Sequence, residues 1–284
     1  FFIQNALLAK QSYAVWLFVG KTDWSLEEAP GADEPVIIVG GGLAGLSATL
    51  EALNSNAKVI LIDGEKNLGG NSAKASSGLS ACETVTQKKM GIHDSKNLFY
   101  SDTMSAGDRE NDEALVDMLV DSSSDAVDFL LNLGVDLSDV NLCGGHSVPR
   151  THWIPPPKEG RAVNVGFGII TKVKERILEI QKQRPDDVKI MTETRVVGLT
   201  SWNAYVTGVN VIKDGKRSEI TGKAVILTTG GFSADKNEEA SLLHEFASDK
   251  VSPLVTVSDQ SLFYMQLICS PCTYNSLIKA WGAF

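Results

Sequence analysis

Long apolar runs are scarce in this chain. The most apolar stretch, Phe1 to Gly20, is broken by Lys10-Gln11-Ser12, and neither piece reaches the roughly twenty residues that cross a bilayer. No membrane span is expected, and the charged start and small-residue cleavage site of a secretion signal are not evident. Basic clusters are missing as well: 26 Lys and Arg stand against 35 Asp and Glu, a formal net charge of −9. That balance argues against nucleic acid as a partner. It also requires any dianionic substrate to find a local cationic pocket, because the overall field repels it. Cysteine is sparse, with four in the 284 residues, and no disulfide framework emerges. Cys82 and Cys143 read as free thiols of a reducing compartment, cytoplasmic or mitochondrial. Cys269-Ser270-Pro271-Cys272 has redox or metal spacing but no companion ligands, so no metal site is expected. Of the four histidines, His93 and His244 sit in polar surroundings and read as surface residues.

Glycine is what the chain does have. Val36-Ile37-Ile38-Val39 is a strand pattern leading into Gly40, Gly42 and Gly45, spaced as G-x-G-x-x-G, and these open a helical stretch from Leu46 to Leu53. Each glycine has a physical job: Gly40 makes the tight turn, Gly42 lets the backbone approach a pyrophosphate, and Gly45 lets helix and strand pack closely. The helix N-terminus, with unpaired N–H groups and the positive end of the macrodipole, suits an anion. Val59-Ile60-Leu61-Ile62 is the next strand, and Asp63 ends it where a carboxylate accepts hydrogen bonds from a ribose diol and repels a 2′-phosphate. A second run of small and hydroxyl residues follows, Glu65 to Gly78, too long for a simple strand-to-helix connection. An extended ligand needs backbone N–H groups along its length, which this run can supply; a flexible polar loop has the same composition.

Three segments divide the chain. Residues 1–33 form a leader with an acidic linker, residues 34–247 a body of alternating strands and helices, and residues 248–284 a tail. In the body, apolar spacing predicts a helix from Asp112 to Leu133, stopped at Gly134, and another from Ile169 to Gln183, stopped by Pro185. Val188–Thr192, Arg195–Thr200, Val206–Ile212 and Ile220–Thr221 read as strands, with a hairpin turn at Lys213-Asp214-Gly215-Lys216. Ala224–Thr228 reads as a short buried strand. The expected class is α/β, a Rossmann-like three-layer domain of the FAD/NAD(P)-binding type, with an NADP-type ligand disfavoured by Asp63.

Three stretches together resemble a known family: Val36 to Gly78, Gly144-Gly145-His146-Ser147-Val148-Pro149-Arg150-Thr151-His152, and Ile226-Leu227-Thr228-Thr229-Gly230-Gly231-Phe232. In order and spacing they are similar to the flavoprotein of soluble fumarate reductases, within the succinate dehydrogenase and fumarate reductase flavoprotein family. The resemblance implies FAD as cofactor and a dicarboxylate substrate. It implies that Ala44 and Gly45 face the pyrophosphate, that Asp63 meets the adenosine ribose, and that Gly70, Asn71, Ser72, Ser76, Ser77 and Gly78 run from pyrophosphate to flavin. Val196 would meet the adenine through its backbone, and Thr229 and Gly230 would close over the cofactor. Ser72 stands where membrane-bound relatives carry the histidine that attaches FAD, so noncovalent FAD is implied. His146, Arg150 and His152 would lie near the flavin or fix their loop rather than act as acid or base, because no carboxylate stands at a suggestive spacing to tune them.

The family's substrate-clamping and proton-donating motifs lie downstream of the Thr-Gly-Gly-Phe strand. From Ser248 to Phe284 none is found; the last arginine is Arg217 and the last histidine His244. The expectation is an FAD-binding portion whose capping domain and catalytic half are absent, with no catalytic residue in the chain. Two alternatives stand beside it: a short non-catalytic FAD-fold protein, and a related FAD-dependent reductase or dehydrogenase acting on another substrate.

Overall fold

The computed structural model describes residues 33–230, apart from 109, 110, 161, 203 and 204. The leader before residue 33, the Gly231-Phe232 pair, His244, the two tail cysteines and the whole tail lie outside the described residues. In chain order the elements are β1 (Val36–Val39), α1 (Leu43–Asn54), β2 (Val59–Ile62), a 3-10 turn (Gly70–Lys74), β3 (Leu79–Ser80), α2 (Val85–Lys89), α3 (Lys96–Ala106), α4 (Glu113–Asp121), α5 (Ser123–Asn132), β4 (Asp139–Asn141), β5 (Thr151–Trp153), α6 (Val165–Gln183), β6 (Val188–Met191), β7 (Thr194–Trp202), β8 (Tyr205–Lys213), β9 (Lys216–Thr221) and β10 (Ala224–Leu227). The described residues group into two units, one of residues 33–71 with 177–230 and one of residues 72–176.

The first unit carries the nucleotide-binding pattern. Its parallel sheet has the order β10-β1-β2-β6, with Val36 opposite both Ala224 and Val59. Side chains alternate between its faces. Ile37, Val39 and Ile62 point one way and form a buried cluster with Val196, Leu199, Val209 and Val211 of the antiparallel β7-β8-β9 sheet. Ile38 and Leu61, fully buried, belong to the opposite face, where α1 packs with Leu43, Leu46, Leu50 and Leu53 inward. Helix, parallel sheet and antiparallel sheet make the expected three layers. The β8–β9 turn has Asp214 and Gly215 both at positive φ, 51° and 73°, the backbone that closes a two-residue hairpin. β9 is longer than expected because its outer edge is lined with Lys216, Arg217, Ser218 and Glu219, all exposed, whose charges hide a strand from an apolar pattern search and protect an edge from pairing.

The second unit contains the small sheet β3-β5-β4, with His152 of β5 opposite Leu79 on one side and Val140 on the other. Cys82, Phe99, Val116 and Val120 form a buried cluster there. The single helix expected over Asp112–Leu133 is two helices that meet at Ser122 (φ −94°, ψ −1°). The break falls in the run Ser122-Ser123-Ser124, where hydroxyls compete with the helical ladder: Ser123 Oγ donates to the Val120 carbonyl at 2.9 Å and accepts the Cys82 N–H at 3.3 Å. α6 starts four residues before its expected position. Gly166 and Gly168 look like helix breakers, but a Cβ on Gly166 would collide with the carbonyl of Ser72 and lie 2.8 Å from that of Ala75, so this glycine serves close packing inside the first turn. Among the described residues no helix is long and apolar enough to cross a membrane.

Candidate functional site

The glycine turn is built as its spacing predicts, and Thr228 completes it. Gly40 has φ +103°, and a Cβ there would stand 2.5 Å from the Thr228 carbonyl oxygen. A Cβ on Gly45 would run into the Gly40 carbonyl oxygen and lie 2.7 Å from Thr228 Oγ1. That hydroxyl is shared between the carbonyls of Val39 and Gly40, at 2.8 Å each. Thr228 lies in the stretch that carries the resemblance but is not among the expected site residues; its role depends on β10 pairing with β1, which brings it to Gly40, 188 residues away.

Gly42 stands at the N-cap of α1 with no side-chain cap, and no acid occupies the first turn. The helix therefore presents its positive end without a charge of its own to neutralise it. Alongside runs the second glycine turn: Gly69 donates its N–H to the Gly41 carbonyl at 2.8 Å, and Gly42 and Gly69 form an isolated parallel bridge. Gly70 follows at φ +50° and opens the 3-10 turn carrying Asn71 and Ser72. The run after Asp63 is thus tied to the first glycine turn. Ala44, in the first turn of α1, is half-buried.

Asp63 is buried at the end of β2, and both carboxylate oxygens are anchored. Gly41 donates its N–H to Oδ2 at 2.5 Å and Glu65 donates to Oδ1 at 2.7 Å. The acid is held rigidly beside the turn; Gly41 is the residue that sequence reasoning overlooked, since a Cβ there would lie 2.8 Å from Asp63 Oδ2. Thr229 is buried and its Oγ1 has no hydrogen-bond partner. Val196 points its side chain into the core, and the register between β7 and β8 slips between Val196 and Gly198. In the second unit, Ser76 and Ser77 are exposed and Gly78 turns at φ +81° against His152 and Trp153.

The same unit holds a charge cluster that the linear sequence hides. Arg150 is fully buried. Its Nε and Nη2 donate to Oδ2 and Oδ1 of Asp94 at 3.1 and 2.9 Å, a bidentate fork, and Nη1 lies 3.0 Å from Asp102 Oδ2. The guanidinium also sits 4.7 Å above the centre of the Phe99 ring, a geometry that attracts a cation. Ser147 donates both its N–H and its hydroxyl to Asp102, at 2.8 Å each. These carboxylates pair with Arg150 rather than with either histidine, and they come from α3 and the segment before it, 48 to 56 positions upstream, where spacing along the chain carries no signal.

Burial lowers the pKa of both histidines, with different secondary causes. His152 is fully buried; its Nδ1 donates to the Arg150 carbonyl at 2.8 Å, and Nε2 faces Thr84 Oγ1 at 2.8 Å. Burial lowers its pKa below the usual 6.5, against the pull of the carbonyls of Arg150 and Leu79. His146 is lowered by burial and then by the Arg150 guanidinium, whose Nη1 lies 3.5 Å from Nδ1; its Nε2 lies 3.2 Å from Ser80 Oγ. For Asp102, burial pushes upward, but the two Ser147 hydrogen bonds and Arg150 outweigh it and hold the carboxyl below 3.8. All three groups have folded values below their unfolded ones, so the unfolded chain takes up more protons as the pH drops. Stability is expected to be fully present above pH 6.5, to fall as the histidines are protonated below it, and to fall again below pH 3.8 as Asp102 titrates. Urea midpoints measured from pH 8 to pH 5 check the first window; a midpoint that rises on acidification would contradict it. Cys82 is a buried free thiol raised by burial, and His93 is exposed. No cluster of three potential metal ligands occurs among the described residues.

A helix layer on a parallel sheet backed by an antiparallel one, with a glycine turn at an uncapped helix N-terminus, defines a Rossmann-type dinucleotide-binding protein. The chain belongs to the FAD binding domain family, which matches residues 35–260. An NADH:fumarate oxidoreductase of Klebsiella pneumoniae (strain 342) is 32% identical over 79% of this chain and 24% of its own length. The fumarate reductase (cytochrome) of Shewanella frigidimarina is 34% identical over 77% of this chain and 37% of its own. The open conformation of a flavocytochrome c3 fumarate reductase superposes with a TM-score of 0.63 and 29% identity, covering 79% of this chain and 40% of that one. This chain thus spans between a quarter and two-fifths of the length of these proteins. Its residues fit the FAD that the family binds. The uncapped α1 terminus suits a pyrophosphate, the paired glycine turns leave backbone where side chains would obstruct, and the buried Thr229 hydroxyl lacks a partner of its own.

Proposed function

We propose that this chain is the FAD-binding portion of a fumarate reductase, which reduces fumarate to succinate with a hydride from reduced FAD. The reading is supported by the extent of its likeness to proteins named fumarate reductases, 77 to 79% of the chain. Bound FAD supplies a two-electron carrier. The chain's own residues hold it: Gly42, Ala44 and Gly45 receive the pyrophosphate at the start of α1, Asp63 takes the ribose diol, and the Val196 backbone meets the adenine. Gly70, Asn71, Ser72, Ser76, Ser77 and Gly78 line the way to the flavin, with Thr229 and Gly230 over it. Holding a dicarboxylate calls for paired cations, ideally arginine forks. Arg150, fully buried, already spends its fork on Asp94 and its remaining nitrogen on Asp102, so it is no substrate clamp.

Purified 1–284 is expected to keep flavin absorbance through gel filtration and to release all of it on acid denaturation, as noncovalent binding requires. Once photoreduced, the flavin is expected to reoxidise no faster with fumarate than without. Loss of flavin on the column would sink the cofactor assignment, whereas fumarate-dependent reoxidation would show that this chain carries a complete substrate clamp.

A further inference from the structure

Trp153 ends β5 directly against the turn that the FAD reading assigns to the flavin side. β3 and β5 pair with Leu79 opposite His152 and Ser80 opposite Thr151, which brings Gly78 beside Trp153. The contact is close: a Cβ on Gly78 would stand 2.6 Å from Trp153 Cδ1 and 2.6 Å from the His152 carbonyl oxygen. The indole Nε1 is bonded to that same Cδ1. It is buried and has no hydrogen-bond partner. An indole nitrogen can only donate, and a buried donor without an acceptor is disfavoured enough to be rare in folded proteins.

The polar side chains of the adjoining strand positions already have partners: the His152 ring bonds the Arg150 carbonyl and Thr84, and Ser80 Oγ is shared between His146 and Thr151. The residues preceding Gly78, Ser76 and Ser77, are exposed, so the turn beside the indole opens outward rather than into core. FAD is rich in acceptor oxygens along its length, from the pyrophosphate through the ribityl hydroxyls to the ring carbonyls.

We propose that the Trp153 indole N–H donates a hydrogen bond to an acceptor oxygen of bound FAD, making Trp153 a cofactor-positioning residue beside the Ser76–Gly78 turn. The proposal rests on the FAD reading of this chain. Trp153→Phe tests it, since the ring still packs on Gly78 and only the donor is lost. Two readouts are needed on the full chain freed of flavin: FAD affinity by calorimetric titration, and the melting temperature without FAD.

The expected result is a Kd for FAD raised about fivefold, the usual worth of one net hydrogen bond, with a flavin-free melting temperature unchanged or higher. The second half follows because replacing an unpaired buried donor by an apolar group of the same shape is neutral or stabilising. Trp202→Phe, at an exposed tryptophan at the end of β7, should change neither. Unaltered affinity in Trp153→Phe would overturn the proposal, as would a drop in the flavin-free melting temperature that accompanies weaker binding, which marks a packing role. Failure of the wild-type chain to bind FAD would instead remove the cofactor reading itself.

Discussion

Replacing Arg150 by alanine is expected to destabilise the chain by about 3–5 kcal/mol, the cost of breaking a buried ion pair from one side. The guanidinium is fully buried between the equally buried Asp94 side chain and Asp102, 14% exposed. Removing it leaves two carboxylates without their counter-charge and opens a cavity over Phe99. A domain's whole stability is roughly 5–15 kcal/mol, so the variant should populate unfolded forms under mild denaturant. A double substitution separates charge from packing. Arg150→Met with Asp94→Asn should be more stable than Arg150→Met alone, because the asparagine removes the buried charge while its single amide oxygen still accepts the Ser95 N–H, and Gln87 keeps the Pro149 carbonyl as an acceptor. Urea unfolding of the single and double variants measures this, and equal midpoints would contradict the role given to the charge. The consequence reaches the proposed cofactor site through the chain: Arg150 directly precedes β5, which sets the position of Gly78.

The second large effect is expected at Gly45. Alanine there would drive a Cβ into the Gly40 carbonyl oxygen and crowd Thr228 Oγ1, both parts of the turn rather than flexible ends that can swing aside. Overpacking of this kind costs about 1–3 kcal/mol, a tolerable loss for folding. Function suffers more. Relief requires α1 to move away from β1 by on the order of 1 Å, and a misplacement of that size can cost ~100-fold where groups must be held in register. FAD affinity is therefore expected to fall on the order of 100-fold while circular dichroism stays close to that of the parent chain. Ser47→Ala, on the same helix but outside the turn, is the comparison; if Gly45→Ala binds FAD as the parent does, the close approach of α1 to the turn is not what the site depends on.

Much of this architecture was legible from local pattern. The β1–α1–β2 unit, the Asp214-Gly215 hairpin and the stop of α6 before Pro185 appear where alternation, glycine and proline place them, since each depends on residues within a few positions of one another. Where reading failed, a competing local interaction or a distant contact was responsible. The serine run at 122–124 offered hydroxyls that split one apolar periodicity into two helices. The first turn of α6 lies before the expected start at Ile169 because Gly166, for want of a side chain, makes room for the carbonyls of Ser72 and Ala75.

The sequence by itself determined the nucleotide-binding unit and its acid at Asp63, because a glycine turn and its flanking strands are specified by backbone geometry and hydrophobic period over fewer than thirty residues, and it pointed to the layer class and the family through the order and spacing of three separate stretches. Only the tertiary structure decided that Asp63 is locked by Gly41 and Glu65, that Thr228 closes the turn, that Asp94 and Asp102 neutralise Arg150, and that Trp153 faces Gly78 with an unpaired N–H. Apart from the local Glu65 contact, those arrangements join residues 22 to 189 positions apart. Strand pairing and burial bring them together, and an electrostatic or hydrogen-bonding partner at such separation leaves no periodic trace in the chain.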